Sequence, residues 1–274
     1  MPMKIDLHNH SKHSDGLFSP RELLEIAVRE RVDVFALTDH DSVFGCEELK
    51  QSAKEYPVQV ICGMELSTEY RNKSVHIVCL FPGNEVPKAL LEFSSLKREE
   101  RKARAIQMMK NIETIYHLKV DMDKLFQNSE IITRANMLYN IAECNHLTHK
   151  EAEQYIANDS KAYIPSTKLS TEEGIQFAKE NGCITILAHP CLLPREYVEE
   201  IVRLGVDGIE IRYPKNQDGD EAYFTSLAKK YGLLISAGSD FHGDSGSKHA
   251  MMGTSTLSEA EFKSIKERLG LEWK

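Results

Sequence analysis

Val34-Phe35-Ala36-Leu37-Thr38-Asp39-His40-Asp41 sets the reading of the chain: an apolar run able to form a buried strand leads directly into side chains capable of chemistry. The same arrangement recurs on either side. Upstream, Met3 to Leu7 leads to His8-Asn9-His10. Downstream, Gln59 to Met64 leads to Glu65, Cys183 to Ala188 to His189-Pro190, and Leu233 to Ala237 to Gly238-Ser239-Asp240-Phe241-His242. Val75 to Phe81 and Gly208 to Ile211 bring the expected strands to seven. Helical patterns separate them. Ser19-Pro20-Arg21-Glu22 reads as an N-cap, a proline in the first turn and an early acid. Ser258 and Glu261 have the spacing of a capping box for a last helix ending at Leu269. Strands alternating with helices predict an α/β fold with a largely parallel sheet.

From Lys88 to Ile156 the pattern changes to helical text without a buried strand, and it reads as a helical insertion. The run Lys97-Arg98-Glu99-Glu100-Arg101-Lys102 interleaves acids with bases, so it reads as a solvated helical face rather than a nucleic-acid patch. The expected organisation is a barrel domain from residues 1–87 and 157–274, capped by residues 88–156. A net charge of −8 over 274 residues argues against a protein that coats duplex nucleic acid, though not against a site for a small anion. No apolar run approaches the roughly 18 residues of a membrane span. The N-terminus shows no signal-peptide pattern, and the six cysteines form no Cys-x-x-Cys pair, so reduced thiols in the cytoplasm are expected.

At the expected strand ends stand His8, His10, Asp15, His40, Glu65, His189, Asp240 and His242, with His76 inside the fourth strand. In a parallel α/β barrel, side chains at the carboxyl ends of different strands converge on one face. Imidazoles and carboxylates gathered there suit a multinuclear transition-metal site. His76 reaches it only if its strand returns antiparallel to the third, as a turn at Arg71-Asn72-Lys73 predicts. Asp39 and Asp41 are expected to orient the His40 ring. His13, His117, His146, His149 and His249 lack acidic strand-end neighbours and read as surface or loop residues, while Trp273 reads as packing a terminal segment.

The motifs Asp6-Leu7-His8-Asn9-His10-Ser11 with Ser14-Asp15-Gly16, Leu37-Thr38-Asp39-His40-Asp41, Gly63-Met64-Glu65, Ala188-His189-Pro190 and Gly238-Ser239-Asp240-Phe241-His242-Gly243 span nearly the whole chain. In this order they resemble the PHP (polymerase and histidinol phosphatase) superfamily, most closely its stand-alone, insertion-bearing branch that acts on nucleotide phosphates. The resemblance implies a distorted (β/α)7 barrel with a helical insertion and a phosphoesterase using two to three divalent ions, Mn2+, Fe2+ or Zn2+. It implies one ion on His8, His10, Glu65 and Asp240, a second on Glu65, His76 and His189, and a third on Asp15, His40 and His242. Asp240 belongs to the expected catalytic group, and His242 or His189 is expected to assist the leaving alkoxide. Metal-bound hydroxide is the expected nucleophile, because the ions offset the phosphate charge and acidify water.

Basic residues should hold the remaining phosphate oxygens. Arg134 is the first candidate, although Ala135 and Asn136 depart from the Arg-Pro-His-like tripeptide of related proteins. Lys161 and Arg212 follow. By resemblance, the expected substrate is a small phosphorylated molecule, best a nucleoside 3′,5′-bisphosphate yielding the 5′-monophosphate. The alternatives are a short oligonucleotide trimmed 5′ to 3′, a cyclic phosphate, or histidinol phosphate. A regulatory domain without activity would lack ligand residues, and all nine positions carry competent ones. Neither a membrane nor an obligate protein partner is expected.

Overall fold

Arg71 and Asn72 both have positive φ, 47° and 62°, the type I′ geometry that reverses a chain without splaying its strands. This two-residue turn joins β3 (Gln59–Tyr70) to β4 (Lys73–Leu80), which pair antiparallel along their length. The third strand therefore runs past Glu65, where the sequence placed its end, because β4 supplies hydrogen-bond partners as far as Tyr70. The remaining strands are β1 (Ile5–Asp6), β2 (Val34–Leu37), β5 (Leu169–Ser170), β6 (Ile184–Leu187), β7 (Gly208–Arg212) and β8 (Leu234–Ala237). They were obtained from a computed structural model that describes residues 2–127, 132, 134–243 and 250–271.

The sheet order is β1-β2-β3-β4-β6-β7-β8, with short β5, not anticipated from sequence, on the far part of β3. Pairings are parallel except those of β4 with β3 and β6. The segments after β1 and β8 then meet: Leu7 N donates to Ala237 O (3.0 Å), Asp240 N to His8 O (2.9 Å) and His10 N to Phe241 O (2.9 Å). A nearly closed, distorted seven-stranded barrel results.

Successive strand residues point to opposite faces. Phe35 and Leu37 belong to the large cluster shared with α1 (Pro20–Glu30) and α2 (Gly45–Ser52). Val34, Ala36, Ile61, Val78 and Ile186 form the other, into which α10 (Glu259–Leu269) packs Phe262, Ile265 and Leu269. The capping box at Ser258 forms as expected, and the expected N-cap at Ser19 proves to be a capping box as well, closed by Glu22. The outer layer is completed by α7 (Thr171–Glu180), α8 (Arg195–Val202) and α9 (Asp220–Tyr231).

Between β4 and β5 come α3 (Lys88–Tyr116), α4 (Met122–Gln127), α5 (Arg134–Cys144) and α6 (His149–Ile156). The long α3 serves two cores. Leu90 joins the barrel cluster, whereas Ala105, Met108, Met109 and Ile112 pack with Leu125, Met137, Ile141, Ala152 and Ile156 in a cluster of their own. Among the described residues no helix is long and apolar enough to cross a membrane.

Barrel closure leaves no room at Gly238, where an added Cβ would lie 2.1 Å from His8 Cβ. Such overpacking costs about 1–3 kcal/mol. Gly238→Ala should therefore lower Tm by about 2–10 °C in a thermal melt; an unchanged Tm would show that the β1–β8 junction is looser than described.

Candidate metal centre

The predicted residues meet at the carboxyl-end rim. His8 and His10 follow β1 at period two, so their rings fall on one side, with centroids 5.1 Å apart. His40 follows β2 and makes a parallel backbone bridge with Glu65 of β3. Because β4 is antiparallel, His76 pairs with Ser67 and shares a face with Glu65, as the predicted hairpin required. His189 follows β6, Asp240 and His242 follow β8, and Asp15 lies in the loop after His10.

Glu65 is the hub, and it is fully buried. Its Oε1 lies 3.0 Å from His76 Nδ1 and 2.9 Å from His189 Nε2. Its Oε2 lies 2.8 Å from His40 Nδ1 and 3.3 Å from both His8 Nε2 and His10 Nε2. Asp240 Oδ1 is 3.1 Å from His10 Nε2 and 3.6 Å from His8 Nε2. Asp15 Oδ1 is 3.2 Å from His242 Nε2. Three groups can each bring their ligand atoms within 4.8 Å of one another: His8, His10, Glu65 and Asp240; His10, Asp15, His40 and His242; and His40, Glu65 and His76. The first coincides with an expected set. The second adds His10 to the expected third set. In the last, His40 completes the group, while His189 touches the same Glu65 oxygen as His76.

The chemistry of these atoms fits divalent cations. Among the described residues, His8 Nε2, both ring nitrogens of His10, His40 Nδ1, Glu65 Oε2 and Asp15 Oδ1 are buried and make no well-aligned hydrogen bond, and they face one another. An unsatisfied buried polar group costs about 1–3 kcal/mol, so a cluster of lone-pair donors calls for a shared cation. The titration behaviour is correspondingly split. Burial, then His242 and His40, lower His10 to about 3, leaving it neutral. Burial also disfavours charge on His40, but Glu65 and Asp15 outweigh it and raise that ring to about 10. Glu65 is opposed by burial and nevertheless held well below the carboxylate range by His40, His8 and His76.

Glu210 braces the rim: its Oε1 lies 3.3 Å from His8 Nδ1 and its Oε2 accepts from His189 N at 2.7 Å. His189 and Asp240 have positive φ, 29° and 51°, so the chain holds both in a region that non-glycine residues seldom adopt.

Two expectations about neighbouring residues need correction. Asp39 does not orient His40; its oxygens accept from Ser11 N, Ser11 Oγ and Ser14 Oγ at 2.6–2.7 Å, fixing the loop that carries Asp15. Asp41 accepts from Ser67 N at 2.7 Å and pairs with Arg101 of α3. The His40 ring is instead set between Glu65 and Asp15. His13, read as a surface or loop residue, lies in the loop after His10 but is buried, with Nε2 3.5 Å from Glu48. His117, His146 and His149 are exposed. His249 and Trp273 lie outside the described residues.

Beside the rim lies a cavity of about 570 Å³. Asp15, His40 and His76 line one side; Lys97, Arg101, Arg104, Arg134 and Lys168 line the rest of its charged wall together with Asp41, paired with Arg101, and Glu100, paired with Lys97. Arg134 is exposed and its guanidinium lies over the Tyr163 ring, 4.9 Å from the centroid, while donating to the Tyr163 hydroxyl at 3.0 Å. Burial and the neighbouring Arg134 and Arg101 lower the pKa of Arg104. The sequence reading missed Arg101, Arg104 and Lys168. A signal was present, since positions 97, 101 and 104 fall on one helical face while the intervening acids hid it. Lys161 is exposed and lies outside this lining.

Arg212 is also absent from the cavity. Glu210 pairs with Ser236 but Arg212 with Ala237, so a β-bulge breaks the alternation of β7. The Arg212 guanidinium consequently turns outward to Glu261 and Glu221 (2.6 Å to the latter).

An α/β barrel with imidazoles and carboxylates converging on its carboxyl-end rim is the architecture of a metal-dependent hydrolase. Residues 6–169 match the model of the PHP domain, and the chain belongs to that family. It is 30% identical over 253 residues to a 5′-3′ exoribonuclease of Haemophilus influenzae, covering 88% of this chain and 91% of that protein. It is 28% identical over 248 residues to a 3′,5′-nucleoside bisphosphate phosphatase of Chromobacterium violaceum, covering 87% of each. A crystal structure of a proposed metal-dependent phosphoesterase from Bifidobacterium adolescentis superposes with a TM-score of 0.84 over 99% of both chains at 23% identity, which establishes the shared fold.

His10→Ala and Asp240→Asn should each reduce hydrolytic turnover by several orders of magnitude while circular dichroism shows the fold retained. Near-normal turnover in either variant would remove that residue from the reaction.

Proposed function

We propose that the protein is a metal-dependent phosphoesterase that releases phosphate from small nucleotides, with a nucleoside 3′,5′-bisphosphate as preferred substrate and the 5′-monophosphate as product. The observation that supports it is the single cavity in which Asp15, His40 and His76 face Arg101, Arg104, Arg134 and Lys168. A substrate with one phosphate at the rim and a second anion on the cationic wall matches that division.

Two to three divalent ions, manganese, iron or zinc, would be held by His8, His10, Asp15, His40, Glu65, His76, His189, Asp240 and His242. When bound they offset phosphate charge and lower the pKa of water. Glu65 is central because its two oxygens reach different imidazoles, which supports a bridging role. His242 Nδ1 faces the carbonyl oxygen of Asp240 at 2.9 Å. A carbonyl only accepts, so in the neutral ring Nδ1 carries the proton and Nε2 presents its lone pair beside Asp15, as a ligand does. His242 and His189, both within reach of the rim carboxylates, are the two rings we propose to assist the leaving oxygen.

Residues 88–156, with Arg134, would set substrate choice and leave the chemistry to the barrel. A guanidinium suits bidentate phosphate contact in a way that lysine does not reproduce. Trimming of short oligonucleotides is the second reading, favoured by the exoribonuclease relative. Six free thiols, four of them buried, support residence in the reducing cytoplasm.

Product analysis with manganese tests the proposal: phosphate from 3′,5′-bisphosphates, the ring-opened monoester from 2′,3′-cyclic phosphates, and mononucleotide from short 5′-phosphorylated oligonucleotides. The bisphosphates should react fastest; absence of release from every nucleotide would refute it. In one preparation, Arg134→Ala should lower kcat/KM on a bisphosphate by about 10- to 100-fold, the worth of a charged hydrogen bond, and far less on an aryl phosphate. Equal losses would assign Arg134 to the reacting phosphate or to the fold.

A further inference from the structure

The bulge that turns Arg212 out turns the next residue in. Ile209 and Ile211 both pack in the outer, helix-side cluster and Glu210 faces the rim. Strict alternation would send Tyr213 outward with the isoleucines. It lies inward instead, only 5% exposed, with its ring centroid 5.4 Å from that of His189. Its hydroxyl is 2.9 Å from Asp240 Oδ2. A carboxylate oxygen accepts, so the phenol donates.

This contact divides the two oxygens of Asp240. Oδ2 is engaged by Tyr213, whereas Oδ1 faces His10 Nε2 at 3.1 Å and His8 Nε2 and His242 Nδ1 at 3.6 Å each. We propose that Tyr213 is a positioning residue, delivered by the β7 bulge, that holds Asp240 by one oxygen so that only Oδ1 is offered to a metal ion between His8 and His10. The inference rests on the metal-centre reading above and deepens it.

The restraint has a physical purpose. Asp240 sits on a backbone with φ 51°, and its carboxylate is surrounded by three imidazoles that could each draw it aside. A carboxylate free to rotate can chelate with both oxygens or swing toward His242. A phenol on Oδ2 removes those options without adding charge. Hydrogen-bonding partners of metal ligands characteristically act in this way. Phenylalanine would preserve the ring against His189 and remove only the donor.

The test is a Mn2+ titration of chelator-stripped protein, following free Mn2+ by electron paramagnetic resonance, together with thermal melts of the stripped proteins. Wild type, Tyr213→Phe, Asp240→Asn and the double variant are compared. Tyr213→Phe should weaken Mn2+ binding by about tenfold while retaining a cooperative metal-free melting transition. The double variant should bind no more weakly than Asp240→Asn alone, because Tyr213 acts through that carboxylate. Unchanged Mn2+ affinity in Tyr213→Phe, additive losses in the double variant, or loss of the metal-free transition would each overturn the assignment. Wild-type protein that binds no Mn2+ would instead remove the metal-centre reading itself, and the role of Tyr213 with it.

Discussion

A fully buried carboxylate with imidazoles on both oxygens is the constraint on which this structure turns. Glu65 has no access to solvent, and an ionised carboxylate in such a place is tolerated only when cations or donors surround it. His8, His10 and His40 approach one oxygen and His76 and His189 the other. They come from the ends of β1, β2 and β6 and from within β4, so satisfying one side chain requires most of the sheet to be in register. The same convergence explains why the clustered residues span the chain while the cluster itself is small.

The backbone accepts local strain to maintain this arrangement. His189 and Asp240 occupy positive φ, a conformation that costs on the order of 1–3 kcal/mol per residue and persists only when its surroundings over-determine it. Those surroundings can be named. Glu210 accepts from His189 N, and Asp240 N donates to His8 O across the closing seam of the barrel. Asp6 accepts from Ser239 N at 3.0 Å and Gly253 N at 2.8 Å, tying the segment that carries His8 and His10 to the loop before Asp240. Much of the polar sequence around the histidines thus serves backbone geometry.

This division also explains what could be read from sequence. Strand ends were legible because an apolar run stopping at histidine or acid marks where a buried strand meets a rim, and the antiparallel return of His76 followed from the Arg71-Asn72 turn. Asp39 and Asp41 were misread because adjacency in sequence says little about which way a carboxylate points; both serve loops and the cap. Arg212 was misplaced and Tyr213 overlooked for one reason, a bulge that shifts the two-residue period with no composition signal of its own. The cations that α3 lends to the cavity were obscured by interleaved acids, one of which, Glu100, lines the same cavity paired with Lys97.

The central claim is that Glu65 couples more than one ion. Elemental analysis of reconstituted wild-type and Glu65→Gln proteins tests it directly, since glutamine keeps the shape and removes the charge. The account predicts about two to three equivalents of manganese, iron or zinc in the wild type and a loss of more than one ion from the single substitution. A full metal complement in Glu65→Gln, or less than one equivalent in the wild type, would contradict it.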